Sequence, residues 1–189
     1  MDAGEGKFGD IDFMIAVLEE IRTGSNKGRL YASGAARVGE HFGVHRIPVI
    51  KRQAISAYDP RVIEVTGITM MVTAQGADHT AGNVPRMQTH DKSTDELVNA
   101  SMEAQVVMAA ADSLGFCIFG RNVTNTNLEM IAQAINNAVG TDLNASFFEE
   151  LGKKTLRLEN EFNKTAGFAI EDDELPEFFY DEPLPPSDK

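Results

Sequence analysis

The segment Asp112-Ser113-Leu114-Gly115-Phe116-Cys117 brings a carboxylate, a turn-forming glycine and the chain's one thiol close together. A carboxylate accepts hydrogen bonds, free amides in a glycine turn donate them, and a thiolate ligates soft metals. An aspartate closing an apolar helix is costly unless something hydrogen-bonds or neutralises it. The same pattern also describes a helix C-cap followed by a buried, inert cysteine, and the residues alone leave both readings open. A second candidate is His79, in Gly76-Ala77-Asp78-His79. Gly76 and Gly82 flank it and permit close approach of backbone to a ligand, and imidazole titrates near neutral pH, as a proton shuttle must. An exposed loop histidine would read the same way. His41 and His45 stand four apart, but Gly43 between them breaks a shared helical face, so no zinc pair is expected there.

These residues need elements to hold them. His79 falls in a glycine-punctuated loop over 75–85, and Asp112 falls near the end of a long helix. Ser93 and Glu96 form a capping box that opens this helix, which runs through about Leu114. Its middle, Val106 to Ala111, is apolar nearly all round and predicts a central, buried position. Thr126-x-x-Glu129 opens another helix to Val139, closed by Gly140. Ser146-x-x-Glu149 opens a third, with Leu151, Thr155, Leu158 and Phe162 on one face. Nearer the N-terminus, Ile11, Met14, Leu18 and Ile21 recur at helical spacing over 10–22, with Gly24 as a stop. A shorter helix of small residues is expected over 28–42, and a strand or extended linker over 43–55. Asp59-Pro60 marks a turn within 56–62. Residues 62–74 are apolar and β-branched, which on propensity reads as a strand. The count is four or five helices and at most two strands: the fold class is mainly α.

The 189 residues suit one compact domain, or one domain with part of a neighbour. Net charge is −12, from 17 basic and 29 acidic residues, which argues against nucleic acid as a partner. One cysteine excludes an intramolecular disulfide and any all-cysteine metal site built from this chain alone. No apolar stretch approaches the ~20 residues of a membrane span, and MDAGEGKFGDIDF is no signal peptide, so a soluble cytoplasmic protein without a membrane partner is expected. The charge is uneven. Residues 171–189 hold eight acids, one lysine and four of the seven prolines. Leu175, Phe178, Phe179, Tyr180 and Leu184 interrupt the acids, which fits a surface strap docked by its aromatics; a disordered tail is the alternative.

In order, YDPR, GADH, a long helix ending DSLGFC, a helix with LENEFN, and the D-x-x-LPEFF…EPLP ending closely resemble the C-terminal part of the aldehyde ferredoxin oxidoreductases. These are tungsten- or molybdenum-bis-pterin enzymes that carry a [4Fe–4S] cluster. The likeness runs from about residue 8 to 189. It implies helical domains of that type, with 1–57 the end of the middle helical domain, 58–170 the C-terminal helical domain and 171–189 the acidic strap. It also implies that Asp112 and the turn backbone at Gly115 and Phe116 bind one pterin. Cys117 would be the fourth cluster ligand, lying against that pterin. His79 would sit beside the metal and assist proton transfer as an aldehyde hydrate becomes a carboxylate, with ferredoxin taking the electrons. A lone cysteine then makes sense, because one ligand of a shared cluster is all this segment must supply.

The chain also departs from the family's pattern. Some relatives carry a basic residue two positions after the histidine for pterin phosphate; here that residue is Ala81. The family's N-terminal β domain, its upstream C-x-x-C-x-x-x-C triplet and its first pterin-binding aspartate motif are absent from this sequence. The expectation is therefore a polypeptide inactive and empty of cofactor by itself, whose partner is the missing N-terminal half or a companion subunit. The apolar surface left open would favour self-association. Two other readings are a helical scaffold subunit that kept the fold without the chemistry, and a same-family reductase of an aromatic acid derivative. The sequence does not choose between tungsten and molybdenum, nor does it name the aldehyde.

Overall fold

The computed structural model describes residues 6–84 and 86–186. Helix α1 (Ile11–Thr23) starts at Asp10, whose carboxylate accepts the Phe13 N–H at 3.0 Å, and stops at Gly24 in the left-handed region. The helix expected over 28–42 is two helices, α2 (Asn26–Tyr31) and α3 (Ala35–Phe42). Gly34, at φ +89°, leaves the helical region between them. Buried Gly28 explains the small residues: a Cβ there would lie 1.9 Å from the Glu20 carbonyl oxygen, so α2 rests directly on α1.

Residues 43–55 resolve into a hairpin of β1 (Val49–Ile50) and β2 (Gln53–Ala54), turned by Lys51 and Arg52, both at positive φ. The strand expected over 62–74 is instead helix α4 (Glu64–Val72). β-Branched content misled because a helix buried around much of its circumference also reads as a continuous apolar run. Thr69 returns its hydroxyl to the Val65 carbonyl, and Gly67 lets Pro60 approach, since a Cβ would meet Pro60 Cβ at 2.7 Å. Ile50, Met70 and Ala77 form one core, joined by Ile55, Tyr58, Met71 and Leu175.

Helix α5 (Thr94–Ser113) opens with both halves of the Ser93–Glu96 capping box in place. It is central but not buried all round: Ser101, Gln105, Val106 and Met108 to Ala110 are buried, while Met102 and Val107 face open cavities. A 3₁₀ turn (Ile118–Gly120) and α6 (Arg121–Thr124) follow, then α7 (Leu128–Val139) and α8 (Ser146–Ala166). Neither of the two further capping boxes forms. The Thr126 hydroxyl donates to the Asn122 carbonyl, and the Glu129 carboxylate instead accepts the Ala145 N–H, tying the start of α7 to the start of α8. Asn144 takes both the N–H and the hydroxyl of Ser146, and Glu149 pairs with Lys153.

Helices α5 and α8 lie against each other through Gly152, where a Cβ would come within 2.0 Å of the Val106 carbonyl. Ala110, Ala132 and Phe148 make the second core between α5, α7 and α8. On α8 the expected apolar face is only half inward: Leu151 and Thr155 are partly covered, but Leu158 and Phe162 point outward.

The strap is docked. It forms a 3₁₀ turn (Ile170–Asp172) and helix α9 (Phe178–Asp181), with Leu175 against the first core and Phe179 buried under the Arg61 guanidinium. Asp173 pairs with the almost fully buried Lys51, and Arg61 donates to the Glu182 carbonyl. Tyr180 faces outward and reaches Glu174. Residues 187–189 of the expected strap lie outside the described residues.

Candidate functional site

The end of α5 is a Schellman motif. The Gly115 N–H donates to the Asp112 carbonyl at 3.0 Å, and the Phe116 N–H donates to the Ala111 carbonyl at 2.9 Å. Gly115 supplies φ +71°, and the Phe116 ring joins Ala110 in the second core, the apolar contact such caps favour. This accounts for Gly115 and Phe116 on structural grounds. The Phe116 amide is thereby engaged inside the cap.

Two residues of the turn are left over. The Cys117 thiol is exposed, and the Asp112 carboxylate makes no hydrogen bond to any described side chain or backbone group. Partial burial, and then the charge of Asp78, raise the Asp112 pKa. Asp112 opens into a groove of about 290 Å³ between α5, α8 and the 73–81 loop, where Glu159 also lies. The Glu159 pKa is likewise raised, by burial and then by Asp112. No Lys or Arg lines that groove.

His79 is held by a loop pinned at both ends. A Cβ at Gly76 would strike the Ile50 carbonyl at 2.4 Å, and one at Gly82 would strike the Gln105 amide of α5 at 2.6 Å. Between them Ala77 enters the first core. The Asp78 carboxylate accepts the Thr80 N–H at 2.9 Å and the Thr80 hydroxyl at 2.7 Å. The imidazole projects from this clamp with its side chain 54% exposed, Nδ1 3.9 Å from Asp78 Oδ1 and its ring 6.2 Å from that of Tyr58.

His79 lines an open cavity of about 1040 Å³. Ile118 and Phe119, the residues directly after Cys117, line the same cavity. Phe116 lines a third, mostly apolar one of about 620 Å³, which shares Glu103, Val107 and Asn125 with that of His79. Asp112, Phe116 and His79 therefore open into three different concavities along α5, and the structure does not bring them into one site. The sequence reading missed Tyr58, Asn83, Arg86, Arg121 and Glu159 as lining residues. Tyr58 stood in the YDPR motif and Glu159 in LENEFN; the others carried no motif signal.

Fit to a metal and pterin can be judged from these leftovers. Among the described residues no three His, Cys, Asp or Glu side chains converge as a metal site. An unpartnered carboxylate, an open thiol and an open imidazole do fit a group held jointly with other residues. The family model described as "Aldehyde ferredoxin oxidoreductase, domains 2 & 3" matches residues 1–189. The chain belongs to the aldehyde ferredoxin oxidoreductase family. It is 28% identical over 190 residues to the tungsten-containing aldehyde ferredoxin oxidoreductase of Pyrococcus horikoshii, covering 95% of this chain and 31% of the relative. Those of Pyrococcus furiosus and Thermococcus kodakarensis are each 27% identical over 195 residues, covering 97% of this chain and 32% of the relative. The chain thus spans about a third of the length of the curated relatives it matches, and its helical fold agrees with family domains 2 and 3.

Proposed function

We propose that this chain is the helical C-terminal part of a tungsten- or molybdenum-bis-pterin, iron–sulfur oxidoreductase that converts small aldehydes to carboxylic acids and passes electrons to ferredoxin. The observation that carries this is the division of labour at the end of α5. The Schellman cap consumes Gly115 and Phe116, leaving the Asp112 carboxylate and Cys117 thiol without internal partners, Asp112 in the groove against α8 and Cys117 next in sequence to Ile118 of the His79 cavity.

The reaction takes RCHO and water to RCOOH, two protons and two electrons. When bound, a pterin-held metal would supply the two-electron oxidation and an iron–sulfur cluster the onward path for electrons. This chain's residues do the rest. Cys117, as thiolate, is one of four ligands a [4Fe–4S] cluster requires, so the other three come from residues outside this sequence. The Asp112 carboxylate would accept a ring N–H of a bound pterin, which fits its lack of any hydrogen-bond partner among the described residues. His79 accepts a proton from the substrate hydrate; the Asp78 carboxylate lies on its Nδ1 side, leaving Nε2 for the cavity. Without the other cluster ligands the polypeptide is inactive, and its productive partner is the segment or subunit that supplies them.

The test uses the complete enzyme. Cys117→Ser should lower iron content and bleach or reshape the visible cluster spectrum, with electron transfer to ferredoxin crippled. His79→Ala should slow turnover by about 10²–10⁴-fold, the usual worth of a positioned acid–base group, with metal content retained. A cluster spectrum and turnover unchanged in Cys117→Ser would refute the assignment.

A further inference from the structure

We infer that the strap sets the orientation of the His79 imidazole, with Asp173 and Arg61 as positioning residues that act through the segments on which His79 rests. Residues 171–189 hold eight acids, and three of the four cations between 46 and 61 receive this segment. Arg46 pairs with Glu182 at 3.0 Å, Lys51 pairs with Asp173, and Arg61 donates to the Glu182 carbonyl while lying 5.1 Å from the centre of the Phe179 ring. Lys51 and Arg61 each belong to a segment that meets the His79 loop or its ring.

The first route runs through the hairpin. A Cβ at Gly76, three residues before His79, would lie 2.4 Å from the Ile50 carbonyl oxygen and 2.9 Å from the Lys51 Cβ, so the loop sits directly on the hairpin turn. That turn places Lys51 at φ +47° and Arg52 at φ +66°, left-handed values that non-glycine residues keep only where surrounding contacts hold them. The Lys51 side chain is only 4% exposed, and its ammonium donates to the Met71 carbonyl at 2.6 Å and pairs with Asp173. Without that carboxylate the ammonium is a nearly buried charge lacking a counter-charge, and its easiest relief is to move toward water and draw the turn with it.

The second route runs through Tyr58. Its side chain packs on the first core, which also holds Ala77 of the loop, and its ring lies 6.2 Å from that of His79. The next residue, Asp59, is gripped by Arg61, with Nε at 3.0 Å and Nη2 at 2.7 Å from the carboxylate. The third nitrogen of that guanidinium reaches the strap at the Glu182 carbonyl. Leu175 packs on the same core, so the strap ties the hairpin, the His79 loop and the 58–61 turn into one unit.

This inference deepens the proposed function and rests on it only for what His79 does once placed. The test uses the whole 189-residue chain labelled with ¹³C and ¹⁵N, and needs neither metal nor cluster. Asp173→Asn and Phe179→Ala should each shift the His79 ring Cε1–H and Cδ2–H resonances and weaken the nuclear Overhauser contact between the Tyr58 and His79 rings, with His90 unmoved. Ser25→Ala removes the side-chain cap of α2, and so lowers stability without touching the strap. It should leave the His79 resonances in place, which separates positioning from general loosening. His79 resonances unaltered in both strap variants, or shifted equally by Ser25→Ala, would overturn the inference. In the complete enzyme Asp173→Asn should lower kcat by up to about 10²-fold with metal content retained, the reach of a misplacement near 1 Å. A shifted imidazole with unchanged turnover would count against His79 as the acid–base group, and so against the proposed function, while the hold of the strap on His79 stands.

Discussion

Glu159 on α8 faces the same groove as Asp112 at the end of α5, and partial burial, with the Asp112 charge adding to it, holds the Glu159 carboxyl above the ordinary carboxylate range. Two acids share a concave surface without a cation, at the junction of the two longest helices. Such repulsion persists only where packing elsewhere fixes the helices.

A carboxyl whose pKa is raised on folding binds its proton more tightly in the native state. Its contribution to stability is therefore greatest at low pH and falls as pH rises from the unfolded value through the raised folded one. Glu159→Gln should raise the thermal midpoint at pH 7.5 and leave it nearly unchanged at pH 4. The gain is about 1–2 °C after allowing for solvent screening. Calorimetry of both proteins at the two pH values checks this; an equal shift at both would remove the repulsion as its cause.

Ser101→Ala should destabilise the fold by about 1–3 kcal/mol, the cost of leaving buried polar groups unsatisfied. The Ser101 hydroxyl lies 2.7 Å from that of Thr69 on α4 and accepts the Gln105 side-chain amide at 2.9 Å, all within the interior. Urea unfolding measures the loss. The double variant Thr69→Val/Ser101→Ala should cost less than the sum of the two singles.

Gly152→Ala should force α8 away from α5, because its Cβ would overlap the Val106 carbonyl. Overpacking of this kind costs about 1–3 kcal/mol. Amide resonances of Val106 to Asp112 should move, which a local effect confined to α8 would not produce.

Phe179→Ala should free the strap at a cost of about 3 kcal/mol. Phe179 is buried, stacks on Phe178 at a centroid distance of 4.2 Å and lies beneath the Arg61 guanidinium. Limited proteolysis should then cut within 170–186 faster than in the parent chain, and Asp173→Asn should do so to a smaller degree by leaving Lys51 with its Met71 carbonyl contact and no counter-charge.

The exposed Cys117 thiol should react fully with a disulfide reagent in the native chain, releasing one equivalent of chromophore without denaturant. A thiol silent until unfolding would place it in the interior.

Much of the helical frame was legible because its signals are local. Asp10 and Gly24 bound α1, the Ser93–Glu96 box opens α5, and Gly140 closes α7, each through hydrogen bonds within one turn of chain. The order of motifs around His79, Asp112 and Cys117 likewise needs no coordinates. What the sequence could not decide depends on neighbours distant along the chain. Within 62–74, Glu64–Val72 form a helix enclosed by Pro60, Ser101 and the hairpin, and β-branched content is silent about that enclosure. The Thr126 box failed because Glu129 reaches across to the Ala145 N–H at the start of α8, and the Ser146 box because Asn144 takes the Ser146 N–H and hydroxyl locally while Glu149 pairs with Lys153. Only tertiary structure set Glu159 in the groove of Asp112, and Asn83, Arg86 and Arg121 beside His79. The physical reason is range: caps and periodicity act over a few residues, whereas cavities and shared electrostatics arise where separate segments meet.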